Sequence, residues 1–282
     1  MVRQNSLGFT LVEAVVLIVL IGFLLVLLAS WLGSRRDGGG RRGVCMNNQK
    51  QLTLALQQYE MAKQQMPGYV NRLVPDGGGQ PVVCSWIVPL FPYLERSDLY
   101  RRWRSGSPTP VFLRLPLCPD DPPDGTGAGQ TPLSFVVNCG LPGDEDGPAD
   151  GLFFNHDVDG EPVTTSFDYV SEHDGTATTL LLSENIQAGK WTDKEEANLG
   201  MVWHPEPDEC SPINACLDAG DRPQDVRYAR PSSYHPGGVI VSFCTGHQYF
   251  LREDIDYRVY QHLMTPDSAK AGVAGELKES EY

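Results

Sequence analysis

The run Phe9–Leu32, FTLVEAVVLIVLIGFLLVLLASWL, is 24 residues long with a single charge, Glu13. At a rise of about 1.5 Å per residue such a helix covers the roughly 30 Å hydrocarbon core of a bilayer. A secretory signal peptide has a shorter apolar stretch followed by a small-residue cleavage site, and Ala29-Ser30-Trp31 is a poor context for cleavage. The run therefore predicts a transmembrane helix over residues 9–32. A carboxylate inside a span costs about 2.5–3.5 kcal/mol on insertion scales, so Glu13 requires a compensating partner.

The residues around it suggest one. Gly8-Phe9-Thr10-Leu11-Val12-Glu13 resembles the cleavage site of type IV prepilins and type II secretion pseudopilins. The resemblance implies a leader over 1–8, cut between Gly8 and Phe9 by a membrane aspartyl peptidase, with N-methylation of Phe9. Glu13 would then be the fifth residue of the mature chain and pair with the Phe9 amine of a neighbouring subunit, which offsets burial of both charges. The implied partners are prepilin peptidase and other pilin-like subunits. The implied location is the cytoplasmic (inner) membrane, crossed once, with the C-terminal domain in the periplasm or extracellular. Four arginines after the run, Arg35, Arg36, Arg41 and Arg42, outnumber Arg3 before it; a positive-inside count alone would reverse the orientation. The cleavage motif takes precedence, because the peptidase acts on the cytoplasmic side.

Charge is unevenly placed beyond the run. Residues 1–43 carry five Arg against Glu13 and Asp37, a net +3, leaving −17 of the overall −14 on the remainder. A domain so acidic repels nucleic acid, so no nucleic-acid partner is expected. Residues 33–43 read as a Gly/Arg linker, with four glycines in Gly38–Gly43 disfavouring helix. An amphipathic helix follows over 44–66, with Cys45, Leu52, Leu56 and Tyr59 at helical spacing and Pro67-Gly68 ending it. Residues 67–265 read as a β-rich domain, with extended segments at 82–88, 111–117, 134–137, 178–183 and 201–203. Ser97 is placed to cap a short helix through Trp103. Gly238–Leu251 forms the clearest hairpin, turning at Thr245-Gly246. A helix over 254–264 precedes an acidic tail, 266–282, read as disordered. The expected fold is α+β and pilin-like: a long N-terminal helix, transmembrane and then amphipathic, packed on a mainly antiparallel sheet.

Several segments, in order, resemble the bacterial family called domain of unknown function 1559, which joins a prepilin-type N-terminus to a C-terminal H-x9-D-G motif. They are Cys45–Leu56, Trp86 through Glu95, Leu117-Cys118-Pro119-Asp120-Asp121, Asp150–Phe154, His173–Glu184 and His235–Phe243. The resemblance implies envelope localisation and a pilin-like architecture, and carries no established activity. Here the motif is altered: His235 is present, but Thr245-Gly246 stands where the family has Asp-Gly. The Gly still suits a tight turn, whereas a catalytic or metal role would lack its carboxylate. His235 is accordingly read as structural.

No other constellation points to an enzyme, and no cofactor or metal is expected. Asn155–Glu161 offers oxygens that could face calcium but lacks the twelve-residue ligand pattern with a terminal Glu, so it reads as a solvated acidic loop. His204 and Glu206 lack H-E-x-x-H spacing, and no serine sits in a G-x-S-x-G elbow. Trp86, Phe91, Tyr93, Tyr100 and Trp103 fit a core or a glycan groove. Among the seven cysteines, Cys210 and Cys216 bracket a short loop suited to a disulfide, and Cys45 and Cys118, in the two family-like Cys segments, could staple the helix to the sheet. Two functions remain: a pseudopilin-like structural or interaction subunit of a type IV pilus or type II secretion-type assembly, or a tethered envelope binding module for glycan or small solute. N-terminal mass spectrometry of the mature protein is expected to find methyl-Phe9; an intact Met1 would refute processing.

Overall fold

Residues 45–60 recur inward at three- and four-residue steps: Cys45, Gln49, Leu52, Thr53, Leu56 and Glu60 are all buried. That is the stripe of a helix laid on a core. The computed structural model describes residues 11–33, 39–123, 125–127, 129–143, 147–207, 213–215, 226, 229–275 and 277, with side chains for all of these but 26–33 and 39. Two units divide the chain, Met1–Arg41 and Arg42–Tyr282.

The first unit holds helix α1, Leu11–Gly33, with Glu13 in its first turn. Its apolar side chains at 11, 12, 15–21 and 23–25 are exposed. Among the described residues no helix is long and apolar enough to cross a membrane. The apolar run read from the sequence extends on both sides of the stretch whose side chains are described.

Helix α2, Gly39–Lys63, begins five residues before the expected start at 44. Gly39, Gly40 and Gly43 are helical rather than linker, and the Arg42 guanidinium lies 3.7 Å over the Phe250 ring, a cation–π contact that favours the extra turn. The helix ends where Gln64 turns left-handed at φ 58°, and its side-chain amide donates to the Met61 carbonyl.

A five-stranded sheet, in the order β5-β3-β4-β6-β7, is built from β3 (Phe135–Gly140), β4 (Leu180–Glu184), β5 (Gly200–Val202), β6 (Gly238–Phe243) and β7 (Gln248–Arg252). All neighbours are antiparallel except β3 and β5. The fold is thus mixed α+β with a largely antiparallel sheet. Every residue of β3, β4 and β6 is buried, so both faces of the sheet centre are covered. A smaller pair, β1 (Val70–Leu73) and β2 (Val82–Ser85), stands apart. Between them and β3 come a 3-10 helix over 88–94 and α3, Ser97–Arg104; Ser97 is the first residue of α3 and not its cap, and Arg96, at the cap position, makes no side-chain capping bond.

Helix α2 lies against β6. Gln49 Nε2 donates to the Ile240 carbonyl at 2.8 Å and its Oε1 accepts from Ser242 Oγ at 2.8 Å; Gln57 Nε2 reaches the Cys244 carbonyl at 3.0 Å. Burying Leu52 and Leu56 contributes about 1.5–3 kcal/mol each, against a net of about 0.5–1.5 kcal/mol per hydrogen bond. Apolar burial therefore holds the helix down, while the two glutamines fix its register on the strand.

Two expectations fail for identifiable reasons. Residues 111–117 are not a strand: turns occupy 114–116, and Pro116 has no N–H to give a ladder. Residues 266–275 are folded, not a disordered tail. Helix α7, Ser268–Ala271, is capped by the Asp267 carboxylate, which accepts from the Lys270 amide, and Ser268 N–H donates to Asp174. Polar composition concealed these pairs. Preceding it, α6, Tyr257–Met264, starts three residues after Asp254 because Asp256 is its cap. Helices α4, Phe167–Glu172, and α5, Glu196–Leu199, are the other helices among the described residues.

The bulge in β3 rests on a buried polar residue. Asn138 donates to the carbonyls of Leu180 and Met264 at 2.8 and 2.7 Å and accepts from Gly140 N–H at 3.1 Å. Gly140, at φ 82°, meets Gly151 backbone to backbone. A Cβ on Gly151 would lie 2.5 Å from Gly140 Cα and N. Gly151→Ala is expected to cost about 2–3 kcal/mol through this overpacking, measurable as a lowered urea midpoint at unchanged m-value.

Candidate functional site

Four chain segments meet at one end of β6. The first turns of α2 bring Cys45, and Asn48, less than a turn on, donates to the Leu117 carbonyl at 2.9 Å, holding the following Cys118 beside the helix. Glu184 is the last residue of β4. His235 precedes β6 in a loop fixed by its own N–H donating to Ser233 Oγ and by Ser232 N–H donating to the Glu184 carbonyl.

The side chains converge. Cys45 Sγ donates to Glu184 Oε1 at 2.7 Å. His235 Nε2 stands 3.2 Å from Glu184 Oε1 and 3.4 Å from Cys118 Sγ. One ligand atom from each of Cys45, Cys118, Glu184 and His235 lies within 4.8 Å of all the others. The remaining atoms are also engaged: Glu184 Oε2 accepts from Ile240 N–H at 2.7 Å, and His235 Nδ1 pairs with Asp120 Oδ2 at 2.9 Å. Exposure is 0% for Cys45, 3% for Cys118, and 2% for both Glu184 and His235.

Electrostatics follow from this packing. Hydrogen bonds with Cys118 and then Glu184 raise the His235 pKa to about 10, despite burial. Burial pushes Glu184 up, but hydrogen bonds with His235, Cys118, Cys45 and Ile240 N–H outweigh it and hold the carboxyl below its ordinary value. The hydrogen bond with Cys45, and that with His235, lower the Cys118 thiol. Burial drives the Cys45 thiol far up, so it keeps its proton and donates. An imidazole beside a thiol of lowered pKa has the make-up of a nucleophilic pair. However, the space beside Cys118, Glu184, Ser232 and Tyr234 has no room for a water molecule, and so none for a substrate. Two sulfurs, one imidazole nitrogen and one carboxylate oxygen form instead a donor set suited to a transition metal.

An open cleft of about 810 Å³ lies nearby, lined by Asp120, Asp121, Gln187, Lys190, Asp193 and Tyr234 among others. Asp120 belongs to both places, with its carboxylate on His235 at the cleft wall.

The structure separates the altered motif. His235 joins the cluster, whereas Thr245-Gly246 forms the β6–β7 turn at the strand's far end. There Gly246 takes φ 92° and its N–H donates to the Phe243 carbonyl. Loss of the family's Asp at 245 thus removes nothing from His235, and the argument that made His235 merely structural does not hold. The four side chains are a donor set that could hold a metal ion, which spacing along the chain did not reveal. Cys45 and Cys118 do come together, but as free thiols; the disulfide expected between them is absent. Cys210 and Cys216 lie outside the described residues, as do Gly8 and Phe9.

The other candidates resolve into structure. Asp157 and Asp159 in the acidic loop pair with Arg72, leaving that loop a poor calcium cage. Trp86, Phe91 and Trp103 are core, with Phe91 and Trp103 against Trp191; Tyr93 and Tyr100 pack on that core. Trp86, Phe91 and Trp103 thus present no exposed ring face on which a glycan could stack. Glu184 and Asp120 were missed as site residues. One signal existed: Cys45, Cys118, Glu184 and His235 each fall in a different one of the family-like segments.

Because all four side chains are sealed, Cys45 and Cys118 are expected to resist iodoacetamide in the native chain. They should label in denaturant without reductant, checked by peptide mapping; labelling only after reduction would reveal a disulfide.

No curated protein and no solved structure matches the chain. A family model described as protein of unknown function, DUF1559, matches residues 39–258, a span holding the whole sheet, α2 and all four clustered residues. The chain belongs to the DUF1559 family.

Proposed function

We propose that the chain is a pseudopilin-like, membrane-anchored structural or interaction protein, processed by prepilin peptidase, with its acidic domain outside the cytoplasm. The observation that carries this reading is α1: apolar side chains exposed on all sides from Leu11 to Leu25, and one carboxylate, Glu13, in the first turn. Apolar surface in water is unfavourable by about 25 cal/mol per Å², so such a helix calls for lipid or neighbouring subunits around it. With the residues beyond, the sequence from 9 to 32 has the length of a span. Gly8-Phe9 ahead of it supplies the scissile bond, and the Phe9 amine supplies the partner that Glu13 needs in an apolar setting. Other pilin-like subunits are then its neighbours. The charge of −17 beyond residue 43 suits a solvated envelope domain and disfavours nucleic acid.

A second reading, a tethered binding module for a glycan or small solute, is favoured by the 810 Å³ cleft with its carboxylates, amide and Lys190; its volume is that of small-ligand sites. A glycan array with the full-length protein separates the two readings.

For the first reading, Glu13→Ala is the decisive change. The variant should still be cut at Gly8–Phe9 but lose most of its cross-linkable oligomers in membranes. Wild-type assembly of the variant would remove the support for a filament role.

A further inference from the structure

We propose that Cys45, Cys118, Glu184 and His235 bind one zinc ion in a closed, structural site that clamps α2 to the sheet. Sulfur, imidazole and carboxylate donors in a set of four are those of tetrahedral zinc. Two thiol ligands disfavour calcium and magnesium, which take oxygen.

The spacing fits. Zinc–ligand bonds of about 2.0–2.3 Å in a tetrahedron place ligand atoms about 3.3–3.8 Å apart. His235 Nε2 lies 3.4 Å from Cys118 Sγ and 3.2 Å from Glu184 Oε1, close to such edges. The Cys45 Sγ–Glu184 Oε1 separation of 2.7 Å is shorter because a proton bridges those atoms; zinc in place of that proton lets them part by less than about 1 Å. All four ligand atoms already lie within 4.8 Å of one another.

The surroundings orient each ligand as metal sites require. Asp120 holds His235 at Nδ1, leaving Nε2 for the metal, the carboxylate–histidine–metal arrangement. Ile240 N–H occupies Glu184 Oε2, leaving Oε1. Binding releases to solvent the Cys45 thiol proton and the proton on His235 Nε2, together with any proton on Cys118, so that two thiolates, a neutral imidazole and a carboxylate face the ion.

Closure decides between structural and catalytic zinc. A catalytic site keeps a position for water, whereas here the adjoining space admits none and the chain supplies all four ligands. The ligands come from positions 45, 118, 184 and 235, so one ion would tie α2, the loop before β3, the end of β4 and the loop before β6. Clips that close long loops remove the most chain entropy from the unfolded state.

The test uses the full-length chain, purified in detergent without chelator and with reductant. Elemental analysis should find one zinc per chain, and a strong chelator should remove it and lower Tm by about 5 °C or more, reversed by added zinc. Cobalt(II) in its place should show thiolate-to-cobalt charge transfer and the intense visible bands of a tetrahedral ion, a readout needing no variant. The double variant C45S/C118S should lose the metal, and C84A should keep it. The proposal is overturned if zinc neither co-purifies nor binds on addition, if cobalt shows no thiolate band, if the double variant retains the metal, or if mapping finds Cys45 bonded to Cys118.

Discussion

The Glu184 carboxylate ties separate parts of the chain at one buried point. Its Oε1 meets Cys45 of α2 and the His235 imidazole, and its Oε2 takes the Ile240 N–H of β6. A carboxylate at 2% exposure loses several kcal/mol of hydration, and only a full set of donors makes that burial tolerable. Cys45, Cys118, His235 and the Ile240 N–H do so here, from three stretches of the chain. The positions of α2, of the loop before β6 and of Cys118 against His235 are therefore coupled: displacing one leaves a buried charge or donor without its partner.

The same region explains how a single helix is seated on a sheet whose centre is covered on both faces. Leu52 and Leu56 supply the adhesion, and Gln49 and Gln57 read the main chain of β6 and the residue after it. Gln49 in turn holds Ser242, so the polar face of β6 is spent on α2. Cys45, one turn before Gln49, is thereby aimed at Glu184. Helix register and cluster geometry are two results of one docking.

The features that bear on function fall in both units. The first carries exposed apolar side chains and Glu13 at the start of α1, on which the proposed anchoring rests. The second, strongly acidic in sequence, carries a sealed cluster and an open cleft that share Asp120. The cluster is dry and fully engaged within the chain, whereas the cleft is open to solvent.

Local pattern was enough for much of the fold. The spacing of Cys45, Leu52 and Leu56 placed α2, Gly238–Leu251 with its Thr245-Gly246 turn placed the β6–β7 hairpin, and the whole chain read as α+β. Glycines at 39, 40 and 43 misled because propensity is weak beside a contact such as Arg42 on Phe250. Residues 266–275 misled because capping by Asp267 and the bond to Asp174 are invisible in composition. The sequence by itself determined which donors the chain owns and the apolar run with its one carboxylate. Only the tertiary structure decided that Cys45, Cys118, Glu184 and His235 share one dry space, because strand order and helix docking set distances between residues up to 190 positions apart, and no spacing along the chain encodes those.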